Sequence, residues 1–109
     1  MKQYDIYLVS FDPSVGNEYQ KVRPAVLVQS DTIKSTLISV MPLSSKVKKR
    51  GKDDVFLKKN EYNRLFEDSI LRVQHISSFS KERFIRKIGE IDISVVSDIQ
   101  GYLKLHFGL

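Results

Sequence analysis

The feature that most constrains this chain is the shortness of its apolar stretches, each cut off by turn residues until a helical period sets in at the C-terminal end. Tyr4-Asp5-Ile6-Tyr7-Leu8-Val9 is rich in β-branched and aromatic types and predicts a strand. It stops at Asp12-Pro13-Ser14, where proline presets φ for a turn. The polar stretch from Ser14 to Val22, with Gly16 and Asn17 suited to a left-handed turn, predicts a loop. Pro24 then opens Ala25-Val26-Leu27-Val28, a continuous apolar run expected of a strand covered on both faces. Thr36 to Met41 predicts a third strand, ended by Pro42.

From Ser44 to Asp54 no hydrophobic period survives, and Lys46, Lys48, Lys49, Arg50 and Lys52 make it a basic loop. Asp54 to Leu57 predicts a short strand, and Asn60 to Phe66 has room for one helical turn. Ser69 to Gln74 alternates, with Ser69, Leu71 and Val73 on one face and Ile70, Arg72 and Gln74 on the other. Ile76 to Phe79 continues as extended chain, and Phe84 to Ile88 is another strand with Gly89 beside it. At the end the period changes: Asp92 is placed as an N-cap, and Val96, Ile99, Leu103 and Phe107 fall on one helical face that Gly101 weakens. Many short strands and one terminal helix predict a mainly β fold, a small, strongly curved barrel, as a single domain over residues 1–109. At this length surface-to-volume scaling leaves a monomer modestly buried, which favours a dimer.

The inventory of side chains excludes much chemistry. There is no cysteine, and His75 and His106, the two histidines, do not stand at metal-ligand spacing. The carboxylates do not cluster as a magnesium site requires, and neither a phosphate-binding glycine loop nor a serine-nucleophile elbow is present. No metal or cofactor is expected. No apolar run has the length of a membrane span, and Met1-Lys2 leads into a strand without a signal-peptide core, so the expectation is a cytoplasmic protein. Lys and Arg total 18 against 13 Asp and Glu, a net charge of +5, which fits either a polyanionic partner or a solvated basic surface. Arg, Ser, Gln and Lys beside a basic loop suit RNA cleavage, because RNA brings its own nucleophile, the 2′-hydroxyl. The protein must align that hydroxyl and stabilise charge on the phosphate, and an arginine fork matches phosphate oxygens.

Three blocks in order resemble the MazF/PemK toxins along nearly the whole chain. The first is Asp12-Pro13, Val15-Gly16-Asn17-Glu18 and Lys21-Val22-Arg23-Pro24 before the valine-bearing strand. The second is Pro42-Leu43-Ser44-Ser45. The third runs from Asp68-Ser69-Ile70 through Gln74-His75-Ile76 to Lys81-Glu82-Arg83 and Lys87-Ile88-Gly89. The resemblance implies an SH3-like barrel, a homodimer, and sequence-specific cleavage of single-stranded RNA leaving 2′,3′-cyclic phosphate and 5′-hydroxyl ends. It also implies a small acidic antitoxin as partner. The family's catalytic arginine falls on Arg23 and its threonine on Ser44, which keeps the hydroxyl and loses the methyl. Many members have an acidic residue before Gln where this chain has Gln74-His75.

Taken alone, Arg23 before Pro24 reads as an exposed arginine at a loop-to-strand junction. With the family pattern it is assigned to transition-state charge stabilisation, since arginine stays charged and cannot accept a proton. Ser44 either orients the 2′-hydroxyl or simply ends a turn after Pro42. Asn17, Gln20, Lys21, Ser45, Lys46, Arg72 and Gln74 are the candidate RNA contacts, Gln74 by its donor and acceptor. Phe11 and Tyr19 offer rings for stacking, with Phe11 equally suited to the core. On an alternating strand His75 faces away from Arg72 and Gln74, and a structural role fits it and His106 better than catalysis. Two other functions compete with a ribonuclease: a DNA gyrase inhibitor of the CcdB type, which has the same fold, and a catalytically silent RNA-binding module.

Overall fold

Seven strands form one curled antiparallel sheet, and a single helix follows them, in the computed structural model, which describes residues 1–11 and 21–109. The strands are β1 (Asp5–Phe11), β2 (Lys21–Leu27), β3 (Leu37–Ser44), β4 (Val55–Leu57), β5 (Ser69–Leu71), β6 (Ser77–Ser80) and β7 (Phe84–Glu90), and the helix is α1 (Ile93–Phe107). The order across the sheet is β4-β5-β3-β2-β1-β7, with β6 paired to the first half of β3. The barrel expected from the sequence is therefore present as a curled sheet without a final closing ladder among the described residues. The turn expected at Asp12-Pro13-Ser14 and the loop positions through Gln20 lie outside the described residues.

Curling follows from how β3 is shared. Its first half pairs with β6, its last two residues pair with β5, and its other edge meets β2 from Leu27–Val40 to Ala25–Pro42. Val40 to Ser44 are consequently buried on both sides. Between β1 and β7 the register shifts twice, leaving Ile88 and Ile85 without opposite residues. Such bulges bend a strand and sharpen its twist. Alternation then sorts the apolar side chains into two clusters. Ile6, Val26, Met41, Leu43, Val55, Leu57, Leu71 and Val73 face the inside of the curl with Ile99 from α1. Val9, Phe11, Ala25, Leu27, Val40 and Phe79 form a second cluster on the other face. Phe11 packs edge-to-face on Phe79 at 5.1 Å, so it is core and not a base-stacking platform.

The helix starts where Asp92 accepts from the Ser94 N–H at 3.2 Å, as its N-cap position predicts. Its apolar stripe is Val95, Val96, Ile99, Tyr102 and Leu103. Phe107, expected on that stripe, is exposed instead, because the core ends a turn earlier. Several strand boundaries also differ from the sequence expectation, β1 among them, which runs to Phe11 rather than Val9. β2 begins at Lys21, inside the expected loop, because the whole segment pairs with β1 down to Phe11–Lys21. β3 runs through Pro42, whose carbonyl accepts from the Arg72 N–H at 3.0 Å. In a strand a residue's N–H and C=O point the same way, so the donor that proline lacks would have faced the side where β5 has already ended, and the β2 ladder loses nothing. β5 stops at Leu71, and Val73–His75 form a 3₁₀ turn under α1, so the strand read from Ser69 to Gln74 holds for half its length and its three residues are all buried. β7 extends through Gly89.

The open end of β7 is tied down at one place. Glu90 donates its N–H to the Tyr62 carbonyl at 3.0 Å, and a Cβ on Gly89 would stand 2.5 Å from both the Tyr62 and Asn63 carbonyl oxygens. Only glycine permits that approach. The segment it docks against is a single helix-like turn in which Arg64 N–H reaches Asn60 C=O at 3.0 Å. Side-chain amides lock it: Asn60 Oδ1 accepts from Tyr62 and Asn63, and buried Asn63 accepts from Asn60 and Leu65 while donating to Lys58.

Candidate functional site

Strand alternation places Arg23 on the same face as Ala25 and Leu27, and its partner across β1 is Val9. The β2–β3 ladder ends at Ala25–Pro42, and Arg23 and Ser44 each lie two residues beyond that last pair on their own strands. Arg23 is exposed, whereas Ser44 is buried at the end of β3 and its hydroxyl oxygen accepts from the Lys46 N–H at 3.2 Å. That bond begins the basic loop, which turns through a 3₁₀ segment at Val47–Lys49.

Arg23 also lines a cleft of about 250 Å³. Its walls are apolar: Leu8, Val22, Pro24, Leu43, Leu65 and Ile88. Its polar groups are Arg23, Ser45, Arg64, Glu67 and Ser69, with the ring of Phe66 at the edge. Ser45, the first residue after β3, lines the cleft and Ser44 does not. A larger recess of about 440 Å³ lies between the N-terminal residues and the 29–35 segment, and it holds none of the residues expected at the site.

The remaining expected contacts divide. Ser45 and Lys46 follow Ser44 and are exposed beside the cleft. Arg72 is largely taken up elsewhere: its Nε lies 3.4 Å from Asp54 Oδ2, with side-chain exposures of 13% and 2%. Gln74 is exposed on the 3₁₀ turn, and since β5 has ended it does not share a strand face with Arg72. Asn17, Tyr19 and Gln20 lie outside the described residues, as does the side chain of Lys21. His75 is half-buried in the same turn, and His106 Nδ1 lies 3.4 Å from Asp53 Oδ2, which fits the structural role expected of it. Among the described residues no three His, Cys, Asp or Glu side chains converge as a metal site would need, and no helix is long and apolar enough to cross a membrane.

Sequence reasoning missed Arg64, Phe66 and Glu67. The segment carries no periodic signal, and only the burial of Leu65 turns its neighbours outward. Arg64 adopts φ 53°, the left-handed region, which a residue with a Cβ adopts at a cost of about 1–2 kcal/mol.

Comparison with known proteins adds four findings. A family model described as PemK-like, MazF-like toxin of type II toxin-antitoxin system matches residues 2–107. A curated Mycobacterium tuberculosis protein, "Endoribonuclease MazF9", is 30% identical over 116 residues, covering 100% of this chain and 98% of the relative. Among solved structures, MazF from Deinococcus radiodurans superposes with a TM-score of 0.81 at 20% identity, covering 100% of this chain and 97% of that one. A mycobacterial endoribonuclease in complex with its cognate antitoxin gives 0.77 at 13% identity, covering 100% and 94%.

Proposed function

The chain belongs to the PemK-like, MazF-like toxins of type II toxin–antitoxin systems, and from that premise we propose that it is a metal-independent endoribonuclease acting on single-stranded RNA. The observation that carries this is Arg23 in the lining of the cleft, with Ser44 at the end of β3 two residues past the last β2–β3 pair. In the reaction the 2′-oxygen bonds to phosphorus, its proton leaves, and the bond to the 5′-oxygen breaks as that oxygen takes up a proton. A 2′,3′-cyclic phosphate and a 5′-hydroxyl result. Arg23 neutralises the negative charge that grows on the phosphate oxygens, where a planar fork of donors fits best. Ser44 orients the 2′-hydroxyl. Ser45 and Lys46, next to Ser44, hold the flanking backbone, with Asn17, Gln20, Lys21 and Gln74 as further contacts. No step needs a metal-bound water, because the nucleophile belongs to the substrate.

The protein works as a homodimer in the cytoplasm, and a small acidic antitoxin silences it by occupying the RNA groove. The net charge of +5 and the basic loop support a polyanionic or acidic partner, and a fold relative is known in complex with its cognate antitoxin. The gyrase-inhibitor and silent-module alternatives are not favoured, because the 30% identical relative is named an endoribonuclease. The test is to incubate the purified protein with a mixed RNA pool in EDTA and map the ends. Cleavage that persists and leaves cyclic phosphates is expected. Loss of activity with chelator, or 5′-phosphate ends, refutes the mechanism.

A further inference from the structure

We infer that Arg64 and Phe66 form a nucleotide subsite beside Arg23, in which Phe66 stacks an unpaired base and Arg64 holds the adjoining phosphate; this rests on the ribonuclease reading. Four observations lead there. Phe66 is 81% exposed, the largest exposure of any aromatic side chain among the described residues. It is not loose: Leu65 before it is buried in the core, and the turn behind it is locked by Asn60 and Asn63 and by the close approach of Gly89. Arg64 is held in a left-handed conformation that directs successive residues to different sides of the chain, so the buried Leu65 stands between two exposed neighbours. Both exposed residues line the same cleft as Arg23.

The chemistry of that cleft selects its occupant. Two guanidiniums, Arg23 and Arg64, call for an anion between or beside them. The Glu67 carboxylate lies on the same lining and repels phosphate, so the phosphate goes to the arginine side and an uncharged ring goes toward Phe66 and Glu67. A carboxylate only accepts hydrogen bonds, which a base amino or imino group can donate. Apolar walls of Leu8, Val22, Pro24 and Ile88 give a flat ring something to lie against. One anion coupled to one flat, donor-bearing ring is a nucleotide, and an exposed aromatic can stack only a base that is not paired. The cleft therefore extends the site around Arg23 by one nucleotide and helps fix which strand geometry reaches it.

The test measures binding and cleavage separately. A fluorescent RNA of mixed sequence, 2′-O-methylated throughout so that it cannot be cut, is titrated by anisotropy against the wild-type protein, Phe66→Ala, Phe66→Tyr and Arg64→Ala. An unmodified pool of the same composition reports cleavage. Phe66→Ala should weaken binding about 5- to 150-fold, the range for removing one stacking aromatic, and raise KM by a similar factor. Phe66→Tyr should bind close to wild type. Arg64→Ala should weaken binding and lower the slope of log affinity against log salt by about 0.7, one phosphate contact on a single strand. Wild-type affinity in Phe66→Ala overturns the subsite, including the case in which that variant instead weakens self-association in light scattering. A wild-type protein that cuts nothing yet shows the Phe66-dependent affinity refutes the ribonuclease and leaves the subsite standing.

Discussion

Replacing Asp54 with alanine should unfold this protein more readily than any loss of surface charge. Asp54 is 2% exposed and accepts the Gly51 N–H at 2.7 Å, while its other contact is the Arg72 guanidinium, whose side chain is 13% exposed. Truncation takes this carboxylate away from an arginine whose side chain has little access to water. Removing one partner of a buried ion pair costs about 3–5 kcal/mol, and the residual exposure of Arg72 sets the expectation at the lower end, about 3 kcal/mol. Against a typical total stability of about 5–15 kcal/mol that is a large share. Tm should fall by roughly 10–20 °C, and the urea midpoint by about 1–2 M at an unchanged slope. The chain has five tyrosines and no tryptophan, so far-ultraviolet dichroism or tyrosine emission is the probe. Asp54→Asn, which keeps an acceptor for Gly51 and loses the charge, should fall in between. The decisive variant is Asp54→Ala combined with Arg72→Met. If the damage comes from the stranded charge, the double variant should recover at least about 1 kcal/mol relative to the sum of the single losses. Purely additive losses refute this reasoning and leave the Gly51 bond as the whole effect.

Arg23→Ala should lower turnover roughly 10²- to 10³-fold with an unchanged melting curve, because Arg23 is exposed and the removed group acts on transition-state charge. Ser44→Ala should lower turnover too, at a stability cost of about 0.5–1.5 kcal/mol, the net worth of a hydrogen bond such as the one its hydroxyl accepts from the Lys46 N–H; a fully active folded variant of either residue refutes its role. Gly89→Ala should destabilise by about 1–3 kcal/mol or more, because both oxygens it would strike are backbone, whereas Gly101→Ala, whose Cβ meets nothing within 4 Å, should stabilise by about 0.5–1 kcal/mol; chemical denaturation reads both. The antitoxin should compete with the methylated RNA for one groove and bind more weakly as salt rises, and saturating antitoxin that leaves RNA affinity unchanged rules out groove occupation.

How far the sequence reached is clearest from three segments. Residues 5–11 and 93–107 carried their own period and punctuation, and the strand, the Asp92 cap and the helix lie where those signals place them. Residues 69–74 misled, because Ser69, Ile70 and Leu71 are all buried between β3, β4 and the core, so the alternation there reflects no solvent face. Arg72 looked free for RNA because its partner, Asp54, stands across from it one step beyond the β4–β5 ladder, and no local pattern records a contact made by folding. That Arg23 and Ser44 should act together was suggested only by the family resemblance, since how two strands come together is a tertiary quantity. Arg64 and Phe66 were hidden for the opposite reason: their turn has no periodicity at all, and only the direction of Leu65 into the core decides that its neighbours face out.

A site with so few titratable groups asks for an account of where its specificity comes from, and the anchors around it supply one. RNA brings the nucleophile, so the protein contributes placement, and effective molarity depends on how rigidly the placed groups are held. Both shores of the Arg23 site are fixed by buried groups rather than by the reacting ones. On one side Asp54 binds Gly51 and Arg72, and so limits where the basic loop after Ser44 can go. On the other, Gly89 lets β7 press against the Tyr62 and Asn63 carbonyls, and so fixes the turn carrying Arg64 and Phe66. Variants at these anchors should therefore raise KM and lose sequence selectivity before they alter the bond that is cut, whereas Arg23→Ala should slow every cut equally. A Gly89→Ala protein that stays folded, slows all sites alike and keeps its selectivity would show that the anchors serve stability alone.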